Sequence, residues 1–245
     1  MKITTEEVWK RYWRNKKIVK VINTRYWFND LFKKYLYLKK YHNFIEIGGY
    51  PGYFAIYFKK YWDYDVTLLD YIIDQKIIRN LLKANGLKPN DINTIKRDFL
   101  LSDEINKYDV VYSFGFIEHF DNPGIILKKH WKLVKKDGTM IIIYPNLLGI
   151  NGVVQKIFDP ENLKIHNLKI MDIKSIKSQL KKAGIKCADV FYYGGFGVWL
   201  ERLNERNIFI KALIYGLSAV GKLIKLFRLN SKLTSPHIVI VAIKS

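Results

Sequence analysis

Residues 46–54 read Glu46-Ile47-Gly48-Gly49-Tyr50-Pro51-Gly52-Tyr53-Phe54 and continue a short apolar run that starts at Phe44. Glycine lets the backbone turn tightly and approach a ligand closely, and a helix that follows such a turn offers unpaired N–H groups. Dinucleotide sites also use a glycine turn, but the spacing here is not G-x-G-x-x-G. The stretch therefore predicts a strand, a ligand-binding turn and a helix.

Short apolar runs alternate with helix-period segments along most of the chain. Seven runs are predicted as strands, at 44–47, 66–69, 92–95, 110–112, 139–144, 185–193 and 237–243. Four helical segments accompany them, at 53–62, 72–85, 122–134 and 172–183. This alternation predicts an α/β fold, a doubly wound, seven-stranded, mostly parallel sheet with helices on both faces.

Acidic residues follow the second and third predicted strands. Asp70 ends the second run, about 20 residues beyond the glycine turn, where a carboxylate can accept both hydroxyls of a ribose. Asp98 follows the third run, where a carboxylate can receive an adenine amino group, and Phe99 can add a stacking face. The pattern predicts a nucleoside-containing ligand at the ends of these strands.

In this order, the motifs resemble those of the class I S-adenosylmethionine-dependent methyltransferases, particularly the group acting on quinones, lipids, sugars and other small molecules. Residues 117–120, Ile-Glu-His-Phe, are similar to the family's leucine-glutamate-histidine element after strand four. Residues 133–138 are similar to its turn into strand five, and 165–184 to its histidine-containing loop and helix before strand six. The chain departs from the family pattern at Tyr50, which replaces a glycine, and at Pro51.

The resemblance implies S-adenosylmethionine as the cofactor. The first motif would hold its methionine part, Asp70 its ribose, and Asp98 with Phe99 its adenine. The residues implied to bind the cofactor are Glu46, Gly48, Gly49, Gly52, Asp70, Tyr71, Asp98, Phe99, Ser113 and Phe114.

Two of the five histidines are candidates for catalysis. Methyl transfer from a sulfonium needs positioning above all, and a hydroxyl acceptor also gains from a general base. His166 is the first candidate base because it lies in the variable loop, while His119 is expected to support the turn after strand four. Tyr144 and Asn146 are predicted to position the acceptor. No metal is predicted, since no convincing carboxylate cluster is visible in the sequence.

The chain is predicted to divide into four segments. They are an N-terminal helical cap at 1–41, a cofactor-binding core at 42–198, an amphipathic helical insertion at 199–235 and the last strand of the core at 236–245. Within the core, residues 145–171 are predicted to form a long loop. Because ligands bind beyond the carboxyl ends of the strands in such sheets, this loop is expected to build a substrate pocket.

The net charge is +20, mostly from lysines spread along the chain. Amino-acid bias is the first explanation, an anionic membrane surface the second, and nucleic acid the least favoured because phosphate-reading patches are clustered and rich in arginine. The cap interleaves basic and aromatic residues, but Leu31, Phe32 and Tyr35 share a helix face, which favours packing on the core. The single Cys187 excludes an internal disulfide and is predicted to be buried. A cytoplasmic location is expected, since no apolar segment follows Met1.

The run at 208–227 is long enough to span a bilayer but contains three lysines, which argues against spanning. Lys211, Ser218, Lys222 and Lys225 fall within an arc of about 60° on a helix. Two interpretations stay open. The helix packs on the domain or closes a homodimer, or it lies at the inner face of a membrane with its lysines at anionic headgroups. The second would make the acceptor amphiphilic, such as a quinone, an isoprenoid or a lipid-linked sugar.

The leading functional hypothesis is therefore a methyltransferase acting on a small or lipid-like acceptor. An RNA methyltransferase is an alternative that uses the positive charge and predicts salt-dependent binding. A non-catalytic protein on the same fold predicts cofactor binding without turnover. A nicotinamide-dependent oxidoreductase is disfavoured by the glycine spacing.

Overall fold

A computed structural model describes most of the chain. The described residues are 2–14, 16–37, 40–101, 106–201, 203–225 and 230–245. For residues 222–225 only the backbone is described, so the side chains of Lys222 and Lys225, and residues 226–227 of the predicted amphipathic helix, lie outside the described residues.

Seven strands form one sheet in the described part of the chain. They are β1 (Asn43–Ile47), β2 (Asp65–Asp70), β3 (Ile92–Lys96), β4 (Tyr108–Phe114), β5 (Val134–Pro145), β6 (Ala188–Tyr193) and β7 (His237–Ile243). Their order in the sheet is β3-β2-β1-β4-β5-β7-β6. The sheet is mixed and has helices between its strands, which confirms the predicted α/β fold. Each of the seven predicted strands corresponds to an observed strand whose ends lie within a few residues of the predicted ones.

The pairs β1/β2, β1/β4 and β2/β3 are parallel. Glu46 lies opposite Leu68 on one side and Tyr112 on the other. Because parallel strands end at the same edge, Ile47, Asp70 and Phe114 bring the glycine turn and the acidic loops together there.

Nine α-helices are present in the described residues. They are α1 (Glu6–Arg14), α2 (Asn29–Leu36), α3 (Tyr53–Trp62), α4 (Gln75–Ala84), α5 (Pro123–Leu133), α6 (Ile150–Phe158), α7 (Pro160–Lys164), α8 (Ile173–Lys182) and α9 (Ile208–Lys225). Side-chain caps fix two of the starts. Asp74 accepts hydrogen bonds from the N–H groups of Lys76 and Ile77 at α4, and Asp172 accepts one from Ser175 at α8.

The chain forms two compact units. The glycine-turn unit comprises Thr4–Phe116, Lys128–Ile141 and Ala242–Ser245, and the histidine unit comprises Met1–Ile3, Ile117–Leu127 and Ile142–Val241. In the glycine-turn unit, buried aromatic rings form the core, with Phe44 and Phe58 stacked at a centroid distance of 4.1 Å. Aromatic pairs of this kind contribute about 0.5–1.5 kcal/mol beyond their buried area. The division into cap, core and insertion stays a prediction.

Two local expectations from the sequence were wrong. Residues 145–171 are largely helical (α6, α7 and a 3₁₀ turn at Leu168–Met171) rather than a loop. Gly149 is the N-cap of α6, and Pro160 occupies the first turn of α7, where a missing N–H costs nothing. Cys187, which was predicted to be buried, is exposed just before β6.

Helix α9 packs one face within the histidine unit. Ile210, Ile214 and Leu217 contact a cluster that also holds Val154 and Phe158 of α6. The same helix leaves other apolar side chains in solvent, namely Ile208, Phe209, Leu213, Tyr215 and Val220. Among the described helices, none has the length and apolar character needed to cross a membrane.

Candidate functional site

The glycine turn follows β1 directly. Gly48 and Gly52 have φ angles of +64° and +94°, in the left-handed region that side chains disfavour. The N–H of Gly48 donates to the Leu69 carbonyl at 2.8 Å, and that of Gly52 to the Gly49 carbonyl at 2.7 Å. A Cβ atom on Gly48 would collide with the ring of Phe116. Both the backbone angle and the close ring therefore require glycine at position 48.

Glu46 lies beneath this turn and is 2% exposed. Its Oε2 accepts a hydrogen bond of 2.7 Å from the N–H of Ala55, in the first turn of α3. Burial raises the pKa of Glu46 to about 8, and the charge of Asp70 adds to that effect while the Ala55 bond opposes it. A Cβ on Gly49 would collide with the Glu46 side chain. Glu46 thus joins β1 to α3 and is largely protonated at neutral pH.

Asp70 braces the turn from the end of β2. Its Oδ2 accepts from the N–H of Tyr50 and its Oδ1 from the N–H of Ile72, each at 3.0 Å. The Tyr50 ring is buried and meets Trp13 edge-on at 5.7 Å. Both oxygens of Asp70 therefore hold backbone N–H groups on either side of the strand end. The neighbouring Tyr71 is half-buried, and its hydroxyl donates to the Thr5 carbonyl at 3.5 Å.

The predicted adenine-binding residues follow β3. The Oδ1 of Asp98 accepts from the N–H of Leu100 at 2.9 Å, which fixes the loop. Phe99 is 4% exposed and packs edge-on against His130 and Phe116, at centroid distances of 4.9 and 5.8 Å. The N–H of Arg97 donates a 3.0 Å hydrogen bond to the Asp70 carbonyl, which holds the loop of Asp98 and Phe99 beside the end of β2. Their contact with adenine stays a prediction.

Ser113 and Phe114 end β4 at this edge. Ser113 is fully buried with its Oγ 3.1 Å from Nε2 of His130, so its hydroxyl has a partner inside the protein, and its contact with the cofactor stays a prediction. The half-buried Phe114 ring meets Trp27 edge-on at 6.0 Å. Trp27 is 58% exposed and was not singled out from the sequence, because one of many aromatic residues in the cap carries no distinguishing local signal.

In the histidine unit, three polar side chains from distant parts of the chain meet. Glu118 and His119 lie on the 3₁₀ turn Ile117–His119, and His166 follows α7. Ligand atoms of the three lie within 4.8 Å of one another. The His119 and His166 rings are 4.8 Å apart between centroids, and Glu118 Oε1 is 3.7 Å from His119 Nε2. The structure therefore brings together the two predicted catalytic histidines and adds Glu118, which the sequence presented only as part of a motif.

Burial sets the protonation of this cluster. It lowers the pKa of His119 to about 3, helped by the neighbouring His166, and it also lowers the pKa of His166. It raises the pKa of Glu118 to about 8. Both imidazoles are therefore neutral at pH 7, each with one nitrogen carrying a lone pair.

Tyr144 and Asn146 have structural contacts. Both are fully buried, and the Tyr144 hydroxyl donates to the Ile170 carbonyl at 2.9 Å. The Asn146 amide donates to the carbonyls of Lys232 and Ser235, each at 2.8 Å, and its oxygen accepts from the Leu148 N–H. These contacts hold the chain after β5, and the role of both residues in acceptor binding stays a prediction.

A cavity of about 410 Å³ opens at the opposite edge of the glycine-turn unit. Its polar lining includes Asn43, Asp65 and Asn93, at the amino ends of β1, β2 and β3. Since ligands of open α/β sheets bind beyond the carboxyl ends of the strands, this cavity is not the candidate site.

Comparison with known proteins identifies a family. A family model described as a methyltransferase domain matches residues 17–190. No curated protein matches the chain. Among solved structures, a SAM-dependent methyltransferase from Archaeoglobus fulgidus is 18% identical with a TM-score of 0.55, covering 88% of this chain and 92% of its own.

Two further structures have the same fold. Phosphoethanolamine N-methyltransferase 2 from Haemonchus contortus, in complex with S-adenosyl-L-methionine, is 16% identical with a TM-score of 0.60 over 89% of this chain. An O-methyltransferase family protein from Burkholderia thailandensis is 14% identical with a TM-score of 0.55 over 88% of this chain. The chain spans about half of each, 52% and 55%.

Proposed function

The chain belongs to the methyltransferase domain family, and we propose that it is an enzyme that takes its methyl group from S-adenosylmethionine and transfers it to a small or amphiphilic acceptor. The observation that carries the proposal is the braced glycine turn. Gly48 and Gly52 have backbone angles suited to glycine, and the carboxyl groups of Asp70 and Glu46 hold the turn from below. Such a turn leaves backbone N–H groups at the start of α3 to face an anionic group of a ligand.

The cofactor residues have distinct proposed roles. The turn and Glu46 would hold the methionine part, and the remaining lone pairs of Asp70 would accept the ribose hydroxyls. Asp98 would accept the adenine amino group, and Phe99 with Phe114 would supply apolar surface. Cofactor binding would then supply the reactive methyl group, while the protein supplies position and exclusion of water.

The proposed general base is His166, supported by His119. Nδ1 of His166 lies 2.6 Å from the Asn162 carbonyl and Nδ1 of His119 lies 2.8 Å from the Ile165 carbonyl. A carbonyl only accepts, so each Nδ1 carries the proton and each Nε2 carries the lone pair. His166 is half-buried, whereas His119 is 5% exposed, which makes His166 the ring that an acceptor can reach.

Calorimetric titration with S-adenosylmethionine and S-adenosylhomocysteine tests the cofactor site, with NADH as the comparison ligand. We expect the wild type to bind both sulfur ligands and Asp70→Ala to bind them at least about tenfold more weakly, since two hydrogen bonds that brace the turn are lost. Asp65→Ala, at the exposed start of the same strand, is the matched control. Unchanged affinity in Asp70→Ala, or no binding by wild type, would contradict the proposal.

An anionic membrane surface is the proposed docking partner, reached through α9. Phe209 is 82% exposed and Ile208 70% exposed, on the face turned away from the packed residues Ile214 and Leu217. Lys211 is half-buried at the border between these faces, where its ammonium group can reach lipid headgroups. The net charge of +20 acts in the same direction. An amphiphilic acceptor follows from this arrangement.

Sedimentation with vesicles tests the docking surface. Wild type should bind vesicles containing phosphatidylglycerol, and Phe209→Ser with Leu213→Ser should bind several-fold more weakly. Leu101→Ser, a 78% exposed leucine in the other unit, is the matched control. A variant that binds like wild type would contradict membrane docking through α9, and a concentration-dependent mass lost in the variant would identify a homodimer instead.

A further inference from the structure

We infer that Glu118, His119 and His166 bind a divalent transition-metal ion, and that Zn²⁺ matches this ligand set best. The metal-binding part of the inference stands on the histidine unit alone, while its role in catalysis rests on the proposed function. Two imidazoles and one carboxylate form a donor set common to zinc and other first-row metals.

The hydrogen bonds of the two imidazoles orient them for a metal. The Nδ1–H of His119 donates to the Ile165 carbonyl and that of His166 to the Asn162 carbonyl. Metal-binding histidines commonly donate their second ring N–H in this way, because the bond fixes the tautomer and raises the basicity of the ligating nitrogen. Both rings therefore have Nε2 as the coordinating atom.

Glu118 supplies the independent observation. It is 1% exposed, and its Oε2 has no hydrogen-bond partner among the described residues. Its Oε1 lies 3.7 Å from Nε2 of His119, which is longer than a hydrogen bond. A buried carboxyl oxygen without a partner is costly, and a cation bound by Glu118 would satisfy it.

The distances suit coordination after small side-chain rotations. Tetrahedral Zn²⁺ with bonds of about 2.1 Å holds its ligand atoms about 3.4 Å apart. Glu118 Oε1 and His119 Nε2 are already 3.7 Å apart, and one ring nitrogen of each histidine and one carboxylate oxygen of Glu118 lie within 4.8 Å of one another. Three protein ligands leave a fourth position open, and the half-buried His166 gives it a route to solvent.

The open coordination position suits an oxygen ligand. Zn²⁺ there would take a water or the hydroxyl of an acceptor and lower its pKa towards about 7. An imidazole that holds a metal cannot also take a proton, so in the metal-bound enzyme the ion replaces His166 as the group that activates a hydroxyl. Proton acceptance by His166 then describes only the metal-free protein.

Metal titration of the chelator-treated full chain tests the inference. We expect one Zn²⁺ per chain by calorimetry, and one Co²⁺ per chain with the visible absorption of a tetrahedral site. His166→Ala and Glu118→Gln should weaken Zn²⁺ binding about 100-fold or more, since loss of even an outer-shell partner costs about 10–100-fold. His42→Ala, which removes an exposed histidine, should bind like wild type.

Titration of each variant with S-adenosylmethionine separates the outcomes. A variant that keeps cofactor affinity but loses Zn²⁺ supports the metal site. Wild type that binds the cofactor but no Zn²⁺, or His166→Ala with unchanged Zn²⁺ affinity, would overturn it. Zn²⁺ binding by a protein that does not bind S-adenosylmethionine would leave the metal site standing and refute the proposed function.

Discussion

Replacing Glu46 by glutamine should flatten the pH dependence of stability. The carboxyl group is buried beneath the glycine turn, and burial raises its pKa from 4.5 to about 8. Glutamine has nearly the same shape, and its oxygen can still accept the N–H of Ala55. The substitution therefore removes a proton-binding group while keeping the bond that joins β1 to α3.

The size and sign follow from proton linkage. Between about pH 4.5 and pH 8 the folded protein holds a proton on Glu46 that the unfolded chain has released. The protonated Glu46 therefore makes its full contribution to the free energy of unfolding below the pKa that this group has in the unfolded chain. That contribution falls as pH rises, by ~1.4 kcal/mol per pH unit for one group. From about pH 5 to about pH 7.5 wild type should lose roughly 3 kcal/mol more than Glu46→Gln.

Urea unfolding followed by circular dichroism at several pH values measures this difference. Comparing wild type with the variant cancels the contributions of all other titrating groups. Glu161→Gln, an exposed glutamate on α7, is the control and should follow the wild-type slope. Parallel slopes for wild type and Glu46→Gln would refute the argument, because they would mean that Glu46 is ionised in the folded protein throughout this range.

Two further substitutions test the turn and the chain after β5. Gly48→Ala should destabilise the protein by about 1–3 kcal/mol more than Gly86→Ala in urea unfolding. Both glycines have a positive φ, but only a Cβ at position 48 meets the Phe116 ring. Equal losses of unfolding free energy in the two variants would show that the ring moves aside freely. Asn146→Ala should lower the unfolding free energy by about 2–4 kcal/mol, since it leaves buried carbonyls unpaired; a stable variant with only a raised acceptor KM would instead establish acceptor binding.

The parts of the fold that were predictable are those fixed by local pattern. Strands β1, β2 and β5 are buried on both faces, so their sequences are continuous apolar runs. Helix α6 was missed although Ile150, Val154 and Phe158 recur at four-residue spacing. Gly149 and Pro160 lie at the starts of α6 and α7. These residues mark where helices begin rather than where structure is lost.

The histidine cluster shows why some site residues escape sequence reasoning. His119 and His166 were each selected from separate motifs, but nothing local indicates that their rings meet or that a carboxylate joins them. The 3₁₀ turn brings Glu118 inward, and a backbone bond from Asn167 to the Glu118 carbonyl holds the second segment beside it. A contact between two distant segments depends on tertiary packing, and the spacing of residues within either segment does not indicate it.

The pKa values of the two carboxyl groups at the glycine turn also depend on tertiary packing and could not be predicted from the sequence. Glu46 and Asp70 are both acidic residues near strand ends, and the resemblance implies that both bind the cofactor. Asp70 receives two backbone N–H groups, whereas Glu46 receives one and is enclosed between β1 and α3, which raises its pKa to about 8. S-adenosylmethionine carries a positive sulfonium and an amino group, and a cation near Glu46 would lower that pKa again. Cofactor binding should therefore release a proton near pH 7, and because binding and proton release are linked, the affinity should rise with pH until Glu46 is ionised in the free protein.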